Sequence, residues 1–163
     1  MTLKTLVDIV QKSRQRTAAY FPLPDIKSCI DYAITEAAEH LDAVLREERN
    51  ADKRNNAKEH TPRFEWGQCG YMVASAIIQD MPTDDDADVE EEFWECNAYS
   101  FNENVYTVLA YMAHIQAGMN QDEFRYVDTL DKWHAASRSL GYDSAELLRE
   151  TCAAFESKHI PAA

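Results

Sequence analysis

The chain has 163 residues, 45% of them hydrophobic and 28% charged, with 29 acidic side chains against 16 basic ones and a formal net charge of −13. That length suits one domain with a real core, and that charge repels nucleic-acid backbones and anionic membrane surfaces, so neither is an expected partner. Four glycines, and five prolines (Pro22, Pro24, Pro62, Pro82, Pro161) that all fall between periodic segments, suit long helices and suit a many-stranded sheet poorly.

Leu3, Leu6, Val7 and Val10 follow i, i+3, i+4, i+7 and predict a first helix over about 2–20, ended by Pro22 and Pro24. Asp25 is the predicted N-cap of a second helix reaching about Glu48, with an apolar stripe of Ile26, Ile30, Ala33, Ile34, Ala37, Leu41, Val44 and Leu45. Residues 49–60 are charged and without period, so a loop or frayed end is expected. Thr61-Pro62, an N-cap followed by proline at the first helical position, opens a third helix running to about Asp80. After Pro82 the acidic run Asp84–Glu92 leads into a long fourth helix with the stripe Trp94, Ala98, Phe101, Val105, Val108, Met112 and Ile115, stopped by Gly118. A fifth helix is predicted over about 121–140 with Gly141 at its end, and Asp143 with Glu146 forms a capping box for a short last helix to about Lys158. The expected fold is all-α, a four-helix-bundle core with one or two additional helices, in a single domain spanning 1–163.

The four cysteines (Cys29, Cys69, Cys96, Cys152) form no CxxC pair and read as buried free thiols of a reducing compartment. The N-terminal MTLKTLVDIVQKSRQ has no uninterrupted apolar run, and no stretch reaches membrane-spanning length, so a cytoplasmic protein is expected.

Two segments carry candidate chemistry. Glu36-Ala-Ala-Glu39 places two carboxylates one turn apart on one side of the second helix, and Glu65-Trp-Gly-Gln68 repeats the spacing at the start of the third. Glu36 and Glu39 lie roughly opposite the Ile34/Leu41/Val44 stripe, where an ordinary solvated face is the plain alternative. The same face continues back through Tyr32 and Cys29, and a mixed aromatic–acidic face suits a central helix lining a cleft. Glu65 stands near the positive end of its helix dipole, where a carboxylate is common for that reason alone. Carboxylates from two helices brought face to face would cage a hard divalent cation: Mg²⁺ takes oxygen ligands and keeps waters and substrate phosphates in the rest of its shell.

ExxE on one helix, an intervening loop, then Glu65-Trp-Gly-Gln68 opening the next resembles the all-α nucleoside triphosphate pyrophosphohydrolases, the MazG and dimeric dUTPase superfamily, whose pattern is ExxE followed by ExxD. The resemblance covers roughly residues 25–80 and implies a MazG-like core over about 2–118, with the helices of about 121–158 added to it. It implies a Mg²⁺-dependent enzyme, with Mn²⁺ as the alternative ion, that cleaves the α–β phosphate bond of a nucleoside triphosphate. Glu36, Glu39 and Glu65 would bind metal, with Gln68 in the fourth ligand position and Glu36 and Glu39 the catalytic pair. Tyr32, Lys58 and Arg63 are the candidate substrate contacts. A homodimer or dimer of dimers is implied, and the apolar, aromatic-rich fourth and fifth helices point the same way. The chain departs from the pattern twice: Gln68 is neutral, and Thr35 stands where several members carry another glutamate. Asp42, one turn past Glu39, is placed to compensate in part. These departures define a second reading, a catalytically silent helical protein that binds a nucleotide or a partner on the same scaffold.

Other signals are weaker. Asp84, Asp86, Asp88, Glu92 and Glu95 match positions of a calcium-loop spacing, but Val89 replaces the turn glycine, and an acidic loop feeding a helix is the better account. Glu156-x-x-His159 has no twin elsewhere, and His40, His60, His114 and His134 form no sequence cluster.

Overall fold

A computed structural model describes residues 2–48, 60–82, 87–94, 103–119 and 124–162, and among these the chain forms seven helices and no strand. They are α1 (Leu3–Thr17), α2 (Ile26–Glu48), α3 (Pro62–Ile78), α4 (Ala87–Trp94), α5 (Val105–Gln116), α6 (Tyr126–Ser139) and α7 (Ser144–His159). The caps form where local chemistry dictates. The Asp25 carboxylate accepts from Ser28 N–H at 2.8 Å, the Thr61 hydroxyl from Phe64 N–H at 3.1 Å, and the Asp143 carboxylate from Glu146 N–H at 2.9 Å. Gly118 and Gly141 take positive φ (71° and 83°) just past α5 and α6, where a left-handed residue turns the chain out of a helix.

α3 is the axis of the fold. It is buried on nearly every side from Glu65 to Ile77, as a helix apolar all round must be. α2 packs along it most extensively, α1, α6 and α7 close around it, and α5 bridges α2 and α6. Two glycines on α3 allow the close approach. A Cβ at Gly70 would fall 2.3 Å from the Trp133 indole of α6, and one at Gly67 would fall 2.3 Å from Thr151 Oγ1 of α7. Trp66 donates its indole N–H to Ser137 Oγ (2.8 Å), while Trp133 donates to the Trp66 carbonyl (3.0 Å). Trp66 and Gly67 thus lock α3 to α6 and α7, while Glu65 and Gln68, on the other side of the turn, face α2.

Several boundaries differ from expectation. α1 stops at Thr17, whose carbonyl accepts from Tyr20 and Phe21 N–H and turns the chain before the prolines act. The expected continuous fourth helix is interrupted: Asn104 is extended (φ −143°, ψ 179°) and caps α5 by accepting from Tyr106 and Thr107 N–H, with Thr107 Oγ1 accepting from Asn104 N–H in return. The apolar stripe keeps helical spacing across that break and so hides it; residues 95–102 lie outside the described ones. α6 begins at Tyr126, several residues later than expected, whereas α7, capped by Asp143 and ending at His159, keeps its expected bounds within a residue. On α2 the buried arc is Cys29, Ile30, Ala33, Ala37, His40 and Ala43, rotated from the expected stripe, and Leu45 is half exposed. The rotation follows from α2 having two neighbours: His40 meets Pro62 and Trp66 of α3, Cys29 meets Gln79 at the end of α3, and Ile34 and Leu41 pack at the margin of the core. It carries Glu36 inward, off the fully solvated face. Of the calcium-loop spacing, Asp84, Asp86 and Glu95 lie outside the described residues, and Asp88 and Glu92 lie in α4. No helix among the described residues is long and apolar enough to cross a membrane.

Candidate metal centre

α2 and α3 run side by side, and Glu36 and Glu39 of α2 face Glu65 and the neutral Gln68 of α3 across the groove between them. Glu36, Glu39 and Glu65 each offer a carboxylate oxygen within 4.8 Å of the other two. Among the described residues no lysine or arginine belongs to that cluster. The carboxylates differ in exposure: Glu65 is 1% exposed, Glu36 is half-buried and Glu39 is open to solvent. They front a cleft of about 740 Å³ whose far wall is α7, through Glu150, Ala154, Phe155, Ser157 and Lys158, with Phe64, His60 and Gln68 completing it.

Three anions so close cannot all stay charged without a counter-ion. Burial, the neighbouring Glu65 carboxyl and the charge of Glu39 push Glu36 up to about 9. Burial and the Glu65 carboxyl also raise Glu39 above the usual carboxylate range. Glu65 Oε1 lies 2.9 Å from His60 Nδ1, whereas Oε2 is buried and, among the described residues, has no hydrogen-bond partner unless the Glu36 or Glu39 carboxyl is protonated. An orphaned buried carboxylate oxygen beside two more carboxylates is a shortage of positive charge, and an all-oxygen donor set is the one Mg²⁺ and Mn²⁺ prefer. The residues present therefore fit a hard divalent cation.

The remaining candidates fall as follows. With its amide nitrogen facing Glu36, Gln68 donates to both oxygens of that carboxyl at 2.9 and 3.0 Å, so it is engaged with Glu36. Thr35 is exposed and donates its hydroxyl to the Asp31 carbonyl (3.0 Å), pointing away from the cluster. Asp42 is exposed and ion-paired to Arg46 at 3.1 Å. Tyr32 is 53% exposed and does not line the cleft. Arg63 forms a two-pronged pair with Glu150 (2.9 and 3.0 Å) and lies over the Tyr142 ring, also outside the lining. Lys58 lies outside the described residues. Lys158 of α7 is the cation that does line the cleft among those residues. Glu156 is paired with Arg16 and His159 stacks on Phe21, which gives that pair a packing role. Cys29, Cys69 and Cys152 are buried free thiols, and Cys96 lies outside the described residues.

Beneath the cluster His40 fixes how α2 meets α3. It is 1% exposed, and its Nδ1–H donates to the Pro62 carbonyl at 2.7 Å, tying α2 to the first residue of α3. Burial holds its pKa below the usual histidine range, so it acts here as a neutral donor.

No family model, no curated protein and no solved structure matches this chain.

Proposed function

We propose that the cleft between α2, α3 and α7 is a divalent-cation-dependent nucleoside triphosphate pyrophosphohydrolase site on a MazG-like bundle, with Mg²⁺ or Mn²⁺ held by Glu36, Glu39 and Glu65. The observation that carries this reading is the convergence of those three carboxylates from two helices within 4.8 Å, with one buried Glu65 oxygen that, among the described residues, only a proton held by its neighbours or a cation can satisfy. Bound there, the ion would neutralise charge on phosphate oxygens and lower the pKa of a coordinated water. The chain's own residues do the rest. Glu65 and Glu36, the more buried pair, hold position. Glu39, the solvent-facing member, is placed to take a proton from water. Lys158 and the apolar wall of Phe64 and Phe155 offer a phosphate contact and a surface for an uncharged ring. Purified protein is expected to release pyrophosphate from one or more nucleoside triphosphates in the presence of Mg²⁺ or Mn²⁺, and to release none in EDTA. A screen of common and modified nucleotides with both ions that yields no pyrophosphate would remove the enzyme reading.

Two observations favour the silent alternative: the Gln68 amide is engaged with Glu36, and the Thr35 hydroxyl is turned to its own helix. A silent scaffold that binds nucleotide would give saturable nucleotide binding without pyrophosphate release in the same preparation, and one that binds a partner would give neither.

We also propose a homodimer or dimer of dimers. α5 carries no aspartate, glutamate, lysine or arginine in 12 residues, yet only Val105, Val108 and Met112 are buried, and Tyr106 is 67% exposed. For chains of net charge −13, a charge-free face is where two copies could meet without repulsion. Light scattering at micromolar concentration is expected to give a multiple of 18.7 kDa, and a mass of one chain would refute it.

A further inference from the structure

His60 precedes the Thr61 cap, and Glu65 is the fourth residue of α3. A helix cap brings these two positions together; they are the ones that usually hold an apolar pair stapling the chain to the first turn. Here both are polar, and His60 Nδ1 lies 2.9 Å from Glu65 Oε1. A carboxylate oxygen only accepts, so Nδ1 carries the hydrogen and donates. Among the described residues this is the one nitrogen donor that reaches Glu65, whose side chain is 2% exposed while that of His60 is 57% exposed. The bond occupies Oε1 and leaves Oε2, the buried oxygen that no nitrogen donor among the described residues reaches, beside the cluster.

From this geometry we propose that His60 is a positioning residue of the metal centre: its Nδ1–H holds one oxygen of Glu65 so that the other is presented to a divalent cation. The inference rests on the metal reading given above and adds to it a residue that never touches the ion. Outer-sphere donors of this kind fix a ligand's rotamer and remove the entropy of aiming it, and their loss typically costs 10- to 100-fold in metal affinity. A merely structural His60–Glu65 pair would stabilise the helix start and leave ion affinity alone.

The test is Mn²⁺ affinity, read from the free-ion electron paramagnetic resonance signal and independent of any turnover. His60→Ala is expected to bind Mn²⁺ roughly 10- to 100-fold more weakly than the unmodified chain. His60→Asn, whose amide nitrogen sits where Nδ1 does, is expected to restore the affinity. His60→Gln, which places its nitrogen nearer the Nε2 position, is expected to behave like His60→Ala. The Asn–Gln comparison sets two polar side chains against each other and so does not depend on the alanine variant folding well. Equal Mn²⁺ affinity in the asparagine and glutamine variants, or an unchanged affinity in His60→Ala, would overturn the positioning role while leaving the metal centre intact. An unmodified protein that binds no Mn²⁺ would overturn the metal reading, and the role of His60 with it.

Discussion

Metal-free protein is expected to lose thermal stability as the pH rises from about 4.5 toward about 9, and Mn²⁺ or Mg²⁺ is expected to remove most of that loss. Glu36 holds its proton far more tightly folded, at about 9, than the 4.5 of an ordinary glutamate. A group of that kind stabilises the fold fully below its unfolded pKa, and the contribution drains away as the pH climbs through the folded value. Glu39 is raised as well and adds in the same direction. A bound cation replaces the protons, so affinity should climb with pH over the window in which metal-free stability falls. Water still reaches Glu36, which reduces the effect. A drop on the order of 5 °C is reasonable, because one kcal/mol moves a chain of this size by about 2–4 °C. The net charge of −13 also disfavours the compact state at high pH, so the deciding comparison is Glu36→Gln, which keeps that background and deletes the raised group. Calorimetry in EDTA across the window should show a shallower fall in Glu36→Gln than in the unmodified chain. A melting temperature that stays level in the unmodified chain, or falls equally in both, would refute the account of the cluster.

What was readable from the residues divides by distance along the chain. Caps were, because Asp25, Thr61 and Asp143 each act on an N–H three residues on. The two acidic pairs were, because i, i+3 spacing fixes a shared face on any helix. That the pairs meet depends on how α2 rolls against α3, which His40 and the Pro62 carbonyl decide across 22 residues, and periodicity carries no such information. Arg63 looked free to meet a phosphate because its partner, Glu150, is 87 residues away. The α7 wall was missed for the same reason: helical spacing gives Phe155 and Lys158 a face but does not say what lies across from it. His60 is the residue that sequence reasoning could have found. Once Thr61-Pro62 is taken as a helix start, the residue before the cap and the fourth residue of the helix are neighbours, and these are His60 and Glu65. Asn104 was hidden by the opposite circumstance, a local cap signal overridden by a long stripe that kept its spacing through the break.

Gln68→Asp and Glu39→Gln are expected to move the protein in opposite directions on two separate scales. Turned with its amide nitrogen toward Glu36, Gln68 donates to that carboxyl. Aspartate there withdraws that donor and sets a further negative charge against a cluster already short of positive charge, so metal-free Gln68→Asp should melt lower at neutral pH. With a cation present the same charge becomes an asset, since a hard ion gains affinity with each carboxylate in reach, and Mn²⁺ and Mg²⁺ should bind more tightly than in the unmodified chain. Gln68→Glu, equal in length to glutamine, separates the effect of charge from that of the shorter side chain. Glu39→Gln removes a charge from the solvent-facing member of the cluster and leaves no cavity. Its metal-free form should therefore melt slightly higher while its ion affinity falls by roughly 100-fold or more, beyond what loss of an outer-sphere partner costs. Turnover should vanish in Glu39→Gln, because the ion and the proton acceptor are both compromised. Melting curves in EDTA and Mn²⁺ titrations on the three variants read the two scales independently. If melting temperatures move as stated while Mn²⁺ affinity stays the same in all three, the cluster is an acidic strain point of a silent scaffold. If affinity follows the charge count, rising with the added carboxylate and falling with the one removed, the carboxylates are ligands, and the neutral residue at position 68 is what holds the ion's affinity down.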